Sequence, residues 1–324
     1  MTHPRLHIVT GKGGTGKTAV AAALALALAA ENHKTLLVEV EGRQGIAQLF
    51  DTPPLPYIER KVAVGPDGGE VYALAIDVEA ALLEYLDMFY RLGRAGRALQ
   101  KFGAFDFVTT IAPGLRDIIL TGKIKESTTR TERNRRVYDA VIVDAPPTGR
   151  IGRFLNVTAE AAKLAKVGPI KNQSEGVAAI LRSPMTRVHV VTLLEEMPVQ
   201  ECRDAIVELS GLGMTIGSVI VNAARPSALS GVRLTQAALK RGLAVAGLPA
   251  NRATVTGLLE EMKLHQVRLG LENDLRAELT DLSQPIVELP MLPNGMDLSN
   301  LYKLANILRK KMPEMPGEKR ESVP

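Results

Sequence analysis

The chain has 324 residues, and its hydrophobic content of 46% is enough for a continuous core in one large domain or two small ones. The net charge of +5 is modest for this length, and the basic residues are not interleaved with aromatic ones, which argues against a nucleic-acid-binding protein. The single cysteine, Cys202, excludes a disulfide bond within the chain and is typical of a reducing compartment, so we expect a cytoplasmic protein.

The first predicted strand, residues 6–10, runs directly into the sequence GKGGTGKT at residues 11–18. This sequence matches G-x-x-x-x-G-K-[ST], the loop whose backbone N–H groups bind nucleotide phosphates. We expect Lys17 to reach the β- and γ-phosphates and the Thr18 hydroxyl to bind Mg²⁺, while the alanine-rich helix over 19–30 directs its positive end at the anion. The remaining phosphate-binding residues predicted in this loop are Gly11, Gly13, Gly14, Thr15 and Gly16.

Further strand-like apolar runs follow along the chain, and helix-patterned stretches separate most of them. They lie at residues 35–40, 71–76, 139–143, 187–193, 216–221 and 286–289. This alternation predicts an α/β fold with a mostly parallel central sheet and helices on both faces, with phosphates bound at the carboxyl ends of the strands. Because the motifs must meet at one nucleotide, we predict a single domain over 1–312, followed by a disordered, Pro-, Glu- and Lys-rich tail at 313–324.

A helical insertion is predicted over about 77–136, and it is rich in aromatic residues. Six of the twelve phenylalanines and tyrosines of the chain lie in one window of it: Tyr85, Phe89, Tyr90, Phe102, Phe105 and Phe107. Helices without a sheet behind them must bury their apolar faces against each other, a partner or a client protein. The residues leave both a small helical core and a client-binding surface open. The single methionine of the window, Met88, argues against a methionine-rich receptor for membrane helices.

Lys12 adds a second lysine to the phosphate loop, which then resembles the deviant P-loop of one ATPase family. That family includes the arsenite-pump ATPases (ArsA), the tail-anchored-protein targeting ATPases, MinD, ParA and the nitrogenase iron protein. The extra lysine of this family reaches across a face-to-face dimer to the phosphates of the partner subunit. The resemblance therefore implies a P-loop NTPase fold, a dimer, and a role for Lys12 in stabilising transition-state charge in trans. The alternative for Lys12 is a solvated loop residue.

Two acidic segments resemble the nucleotide-sensing switches of the arsenite-pump and targeting ATPases. Residues 144–155, DAPPTGRIGRFL, are similar to the switch II sequence DTAPTGHTLRFL, which implies that Asp144 holds the magnesium shell; Arg150 replaces the family's histidine. Residues 39–45 align with the switch I sequence STDPAHN, so Glu41 takes the place of an aspartate that positions the attacking water. The alternative for Glu41 is an ordinary loop acid, with hydrolysis that is weak or depends on a partner.

Two later segments resemble the family's base-binding elements. Residues 218–222, SVIVN, end like the family's VIVN strand, which implies that Asn222 hydrogen-bonds adenine, and the expected preference for ATP over GTP rests on this residue. Its alternative is a plain strand-terminating asparagine. Residues 288–293, ELPMLP, are similar to the loop that closes over the base, so Leu292 and Pro293 are predicted to contact it.

The resemblance implies an ATPase that binds ATP and Mg²⁺ and acts as a dimeric, nucleotide-driven conformational switch in protein handling or transport support. Metalloid efflux, a zinc-bridged dimer and an iron–sulfur cluster are not expected, because each needs cysteines that this chain lacks. A second hypothesis is a weakly active regulatory subunit that forms a heterodimer with a related ATPase. A third, less favoured one is a positioning ATPase of the MinD/ParA type. We expect a protein client at the helices of 77–136, no nucleic acid, and contact with membranes only through a partner.

Overall fold

The computed structural model describes residues 3–90, 114–164, 169–226, 229, 231–293 and 295–313. In these ranges the strands are β1 (Leu6–Gly11), β2 (Lys34–Glu39), β3 (Arg60–Val64), β4 (Glu70–Ala75), β5 (Thr131–Glu132), β6 (Arg135–Arg136), β7 (Ala140–Asp144), β8 (Thr186–Thr192), β9 (Ile216–Ala224) and β10 (Ile286–Pro290). The α-helices are α1 (Lys17–Leu28), α2 (Gly45–Leu49), α3 (Val78–Tyr90), α4 (Leu115–Thr129), α5 (Thr148–Leu155), α6 (Val157–Leu164), α7 (Pro169–Leu181), α8 (Glu196–Gly211), α9 (Gln236–Val245), α10 (Arg252–Thr280) and α11 (Leu298–Lys311).

Eight of these strands form one sheet in the order β10-β9-β8-β1-β7-β2-β4-β3, while β5 and β6 form a separate hairpin. All neighbours in the large sheet are parallel except β3 and β4, which confirms the predicted α/β class. The register places Val9 of β1 and Glu39 of β2 on either side of Asp144 in β7. The loops that follow these three strands are therefore neighbours at the carboxyl edge of the sheet.

Helices cover both faces of the sheet, as the alternating pattern predicted. On one face, α1 lies buried between the sheet and α11, and its alanine-rich sequence allows close helix packing. On the other face, α3, α4, α5 and α7 pack in a second core that includes β2, β4 and β7. No helix in the described ranges is long and apolar enough to cross a membrane.

The described part of the predicted insertion packs against the sheet. Leu82 of α3 and Ile119 of α4 belong to the same buried cluster as Val141 and Val143 of β7. The expectation that these helices lack a sheet behind them is therefore wrong for α3 and α4. The aromatic residues Phe102, Phe105 and Phe107 lie outside the described residues. The same holds for the predicted tail apart from Pro313.

The helices α9 and α10 form a hairpin in which mainly the second half of α10 packs against the remainder of the described structure. The 29 residues of α10 span about 43 Å, but three of its four buried residues lie in its second half. Six large hydrophobic side chains of this region are exposed, and Val245 is 92% accessible: Val232, Val245, Leu248, Leu264, Val267 and Leu271. Exposed apolar surface of this kind is typical of an interaction site.

Candidate nucleotide site

The predicted phosphate loop connects the end of β1 to the start of α1, and close contacts require two of its glycines, Gly11 and Gly16. A Cβ atom on Gly11 would lie 2.2 Å from the carbonyl oxygen of Val191. Gly16 has a φ of +85°, and a Cβ atom there would lie 2.3 Å from Nδ2 of Asn222. The Thr15 hydroxyl donates to the carbonyl oxygen of Lys12 at 2.9 Å, which folds the loop back on itself. Gly13 and Gly14 have open space around them, so this side of the loop is accessible to a ligand.

Three of the predicted phosphate and metal ligands converge at the N-terminus of α1. The Thr18 hydroxyl donates to Oδ2 of Asp144 at 2.7 Å, while the other carboxylate oxygen, Oδ1, is buried without a hydrogen-bond partner. Burial raises the pKa of Asp144 to about 6. Burial also lowers the pKa of Lys17, although the nearby carboxylates of Asp144 and Glu41 oppose this shift. A buried carboxylate oxygen without a partner beside a hydroxyl fits a hard cation such as Mg²⁺.

Glu41 lies near this group, as predicted, but two arginines pair with its carboxylate. Arg150 approaches Oε1 at 3.5 Å and Arg43 approaches Oε2 at 3.8 Å. Arg150 stands in switch II and Arg43 in switch I, so Glu41 links the two segments. In this arrangement two exposed arginines compete with water for the carboxylate oxygens of Glu41.

Glu39 is a positioning residue that the sequence interpretation overlooked. Its carboxylate is buried and accepts hydrogen bonds from the backbone N–H groups of Gln44 and Ile46, at the start of α2. These bonds fix the switch I loop so that Gly45 lies against the side chain of Thr18. One sequence signal could have indicated this role: Glu39 directly follows the apolar residues of β2. An acidic side chain buried there requires a hydrogen-bonding or charged partner.

Lys12 pairs within its own chain, through residues that the sequence interpretation also overlooked. Its Nζ lies 2.9 Å from Oε1 of Glu201 on α8. The second oxygen of Glu201 accepts a hydrogen bond from the Thr148 hydroxyl at 2.7 Å. Thr148 belongs to the PTG sequence, but its side chain had no predicted role. No local sequence signal connects it to Glu201, because the two residues lie on different helices.

The predicted base-binding residues lie near one another at the carboxyl edge of the sheet. Asn222 follows the buried part of β9, and its side chain donates from Nδ2 to the Thr15 carbonyl oxygen at 2.9 Å. The segment after β10 is attached to β9 by a bond from the Met291 N–H to the carbonyl oxygen of Ala224 at 2.8 Å. In this segment Leu292 is partly buried against the core and Pro293 is exposed. Contact of these residues with adenine stays a prediction.

Cys202 lies beside Glu201 on α8, but it faces the core. The side chain is buried, and burial raises the pKa of its thiol to about 12. The neutral thiol is a weak nucleophile and a poor metal ligand. Cys202 is therefore an inert thiol in the core.

Comparison with known proteins places this site in a family. Residues 4–177 match the family model described as anion-transporting ATPase. The chain is 55% identical to ATPase BagA of Mycobacterium tuberculosis over 313 residues, which cover 94% of this chain and 92% of that protein. It is 27% identical to ATPase GET3 of Kluyveromyces lactis, over 68% of this chain and 72% of that protein. It is 25% identical to the arsenical pump-driving ATPase of Acidiphilium multivorum, over 90% of this chain and 52% of that protein. The chain belongs to the anion-transporting ATPase family and is a P-loop ATPase.

Proposed function

We propose that this ATPase depends on Mg²⁺, completes its nucleotide sites by dimerisation, and acts as a nucleotide-driven switch in protein handling or transport support. ATP would bind at the loop of residues 11–18, with Asn222, Leu292 and Pro293 at the base. Thr18 and Asp144 would hold Mg²⁺, which neutralises charge on the phosphates when it is bound. Lys17 would bind the phosphates within the subunit, and Lys12 would act on the nucleotide of the partner.

The observation that carries the proposal is the group formed by Lys17, Thr18 and Asp144. A buried lysine, a hydroxyl and a carboxylate with one oxygen lacking a partner meet at a helix N-terminus, directly after a glycine-rich loop. Each member supplies a contact that a magnesium–nucleotide complex requires. A purely structural ion pair would satisfy both carboxylate oxygens, whereas Oδ1 of Asp144 is left for a ligand.

A second subunit is supported by the position of the exposed apolar hairpin. Leu279, near the end of α10, packs with Val219 and Val221 of β9. Glu272 pairs with Arg225, which follows the carboxyl end of β9. The first half of α10 and α9 therefore extend past the carboxyl edge of the sheet. Lys12 and the phosphate loop lie at the same edge. A partner that covers the hairpin would therefore also face the nucleotide. The residues do not distinguish a second copy of this chain from a related ATPase.

A role in metalloid efflux is disfavoured by the thiol content. Arsenite and antimonite are soft ligands that need several thiolates, and the sequence contains only Cys202, which is buried. A switch that handles a protein is the better proposal, with a client surface on residues 77–136 outside the faces of α3 and α4 that pack on the sheet. The less favoured MinD/ParA-type alternative would be supported by ATP-dependent binding to anionic vesicles or DNA.

The experiment is Mg²⁺-dependent phosphate release from ATP by the purified chain, measured over a wide range of protein concentration. Specific activity that rises with concentration is expected for a homodimer with composite sites. Tight ATP binding without turnover at any concentration would instead favour the second hypothesis, a regulatory subunit of a heterodimer, whose activity appears when the related ATPase is added.

Two variants separate binding from turnover. Lys12→Ala should bind ATP like the unmodified chain but release no phosphate, because the trans-acting charge is absent. Lys17→Ala should fail to bind ATP at all. Full turnover by Lys12→Ala would refute the composite site while leaving the P-loop assignment intact.

A further inference from the structure

The carboxylate of Glu201, on α8, contacts both the phosphate loop and the start of α5. Its Oε1 lies 2.9 Å from Nζ of Lys12 in the phosphate loop. Its Oε2 accepts from the hydroxyl of Thr148, at the first position of α5, at 2.7 Å. The two contacts lower the pKa of Glu201, with the Lys12 contact the larger cause, so the carboxylate is charged at neutral pH.

The Thr148 end of this connection lies on the segment that carries the predicted magnesium ligand. Asp144 lies four residues before Thr148 in the chain. Between them, the carbonyl oxygen of Pro146 accepts a hydrogen bond from the Thr10 hydroxyl of β1 at 2.7 Å. The helix α5 also packs closely on α8, since a Cβ atom on Gly152 would lie 1.9 Å from a carboxylate oxygen of Glu208. A shift of the 144–148 segment on nucleotide binding would therefore move Thr148 relative to α8 and change its bond to Glu201.

The Lys12 end of the connection competes with the role proposed for this lysine. An ammonium group that is paired with a carboxylate of its own subunit is not free to contact the phosphates of another. Lys12 and Glu201 are each about one-third exposed, so the pair is accessible to an approaching anion. Pairs this exposed are weak enough to exchange partners, with an effect of up to roughly fivefold on an equilibrium.

We propose that Glu201 is a positioning residue that holds Lys12 inside its own subunit until the phosphates of a partner's nucleotide replace it. This inference rests on the proposed trans-acting role of Lys12, and it adds a regulator of that role. Thr148 fixes the second carboxylate oxygen, so the state of switch II sets how firmly Lys12 is held. In an isolated subunit, Lys12 therefore stays bound to Glu201 until a partner with bound nucleotide is present.

The test in the assembled protein uses Glu201→Gln, which keeps the size of the side chain and an acceptor for Thr148 but removes the charge. Specific ATPase activity is measured against protein concentration, and assembly is measured by sedimentation with ADP and aluminium fluoride. We expect the concentration at half-maximal activity to fall roughly twofold to fivefold, with an unchanged plateau. Glu196→Gln is the matched control, because Glu196 is an exposed acid on the same helix.

The Lys12→Ala background identifies the route of the effect. If Glu201 acts through Lys12, Glu201→Gln will not change assembly further when Lys12 is already alanine. An equal shift in both backgrounds would overturn the proposal, since it would point to general surface charge. A lower plateau activity for Glu201→Gln alone would also overturn it, because Glu201 would then be needed in the assembled state.

A measurement on the isolated chain keeps the inference testable when no homodimer forms. Only a free amine reacts with an acetylating reagent, so an ion-paired lysine is acetylated slowly. Mass spectrometry of the nucleotide-free protein should show acetylation of Lys12 several-fold faster in Glu201→Gln, with the exposed Lys171 as internal reference. Equal rates at Lys12 in the two proteins would refute the holding contact. Failure of turnover in every protein would refute only the proposed homodimer.

Discussion

A buried pair of histidines should make the stability of this protein fall in mild acid. His7 of β1 and His189 of β8 are fully buried, and His7 Nδ1 lies 3.1 Å from His189 Nε2. The Ser218 N–H donates to Nδ1 of His189, so neutral His189 carries its proton on Nε2 and donates it to His7. The proton of His7 then lies on Nε2, which is 3.3 Å from the carbonyl oxygen of Pro4. This chain of bonds leaves no position for an additional proton.

The magnitude follows from the pKa of His7. Burial lowers this pKa from 6.5 to about 4, and burial lowers that of His189 as well. Since the folded pKa is the lower one, the unfolded chain takes up protons first, and stability is lost as the pH falls from about 6.5 toward about 4. For His7 alone the linkage relation gives a loss of about 2 kcal/mol in the free energy of unfolding between about pH 7.5 and about pH 5.

The assay compares the unmodified chain with His7→Asn by urea unfolding across this pH range, with EDTA and without nucleotide. The side-chain carbonyl oxygen of the introduced asparagine can still accept from His189, but the variant has one titrating group fewer. Asp144 has a raised pKa, so its contribution to stability changes with pH in the opposite direction, but this contribution is the same in both proteins and cancels in the difference.

The expected result is that His7→Asn is less stable at about pH 7.5 and that its deficit shrinks by about 2 kcal/mol by about pH 5. A deficit that stays constant over this range would refute the reasoning. It would mean that His7 does not gain a proton on unfolding, and hence that its folded pKa is not depressed.

Three further changes test the nucleotide site, and a fourth, Gly247→Ala, is a control outside it. Lys17→Ala should abolish binding of a fluorescent ATP analogue, and micromolar affinity in this variant would contradict the P-loop assignment. Gly16→Ala should lower the free energy of unfolding by about 1–2 kcal/mol, because alanine is strained in the left-handed backbone conformation. The clash of its Cβ atom with Asn222 should lower it further, and thermal unfolding measures the total loss. Gly247→Ala, with a similar φ of +69° but open space, should lose only the strain component. Glu39→Gln should cost about 1–3 kcal/mol by weakening two bonds to backbone N–H groups, and an unchanged melting temperature would contradict that role.

The sequence predicted the sheet well because its signal is local. All seven strand-like runs correspond to strands of the large sheet, and the most buried of them, such as β1 and β7, are nearly uniform apolar segments. The strand β3 was missed, because two of the five residues of its sequence RKVAV are charged and it is mostly exposed at the sheet edge. The short hairpin of β5 and β6 was missed because its two-residue strands are polar and exposed, so they carry no apolar signal.

Only those contacts of the site that join two sequence motifs could be predicted. The pairing of Thr18 with Asp144 follows from two motifs that end neighbouring strands, so their meeting was foreseeable. The contact of Lys12 with Glu201 was not, because it depends on how α8 is oriented over the phosphate loop. Tertiary packing decides such orientations, and no periodicity in the sequence of α8 marks one exposed acid above another.

These contacts also bear on the hypothesis that the isolated chain turns ATP over slowly. The glutamate at position 41, where the family has an aspartate, would be one reason, since a longer side chain would shift the position of the attacking water. The structure adds another, because Glu41 is paired with Arg150 and Lys12 is paired with Glu201. In each pair, a residue proposed to act in turnover is bound to another side chain of its own subunit. Arg150 belongs to switch II, and Glu201 belongs to α8, the helix on which switch II packs. We expect an event that moves switch II to release both, which would free Glu41 for its own site and Lys12 for the site of the partner subunit.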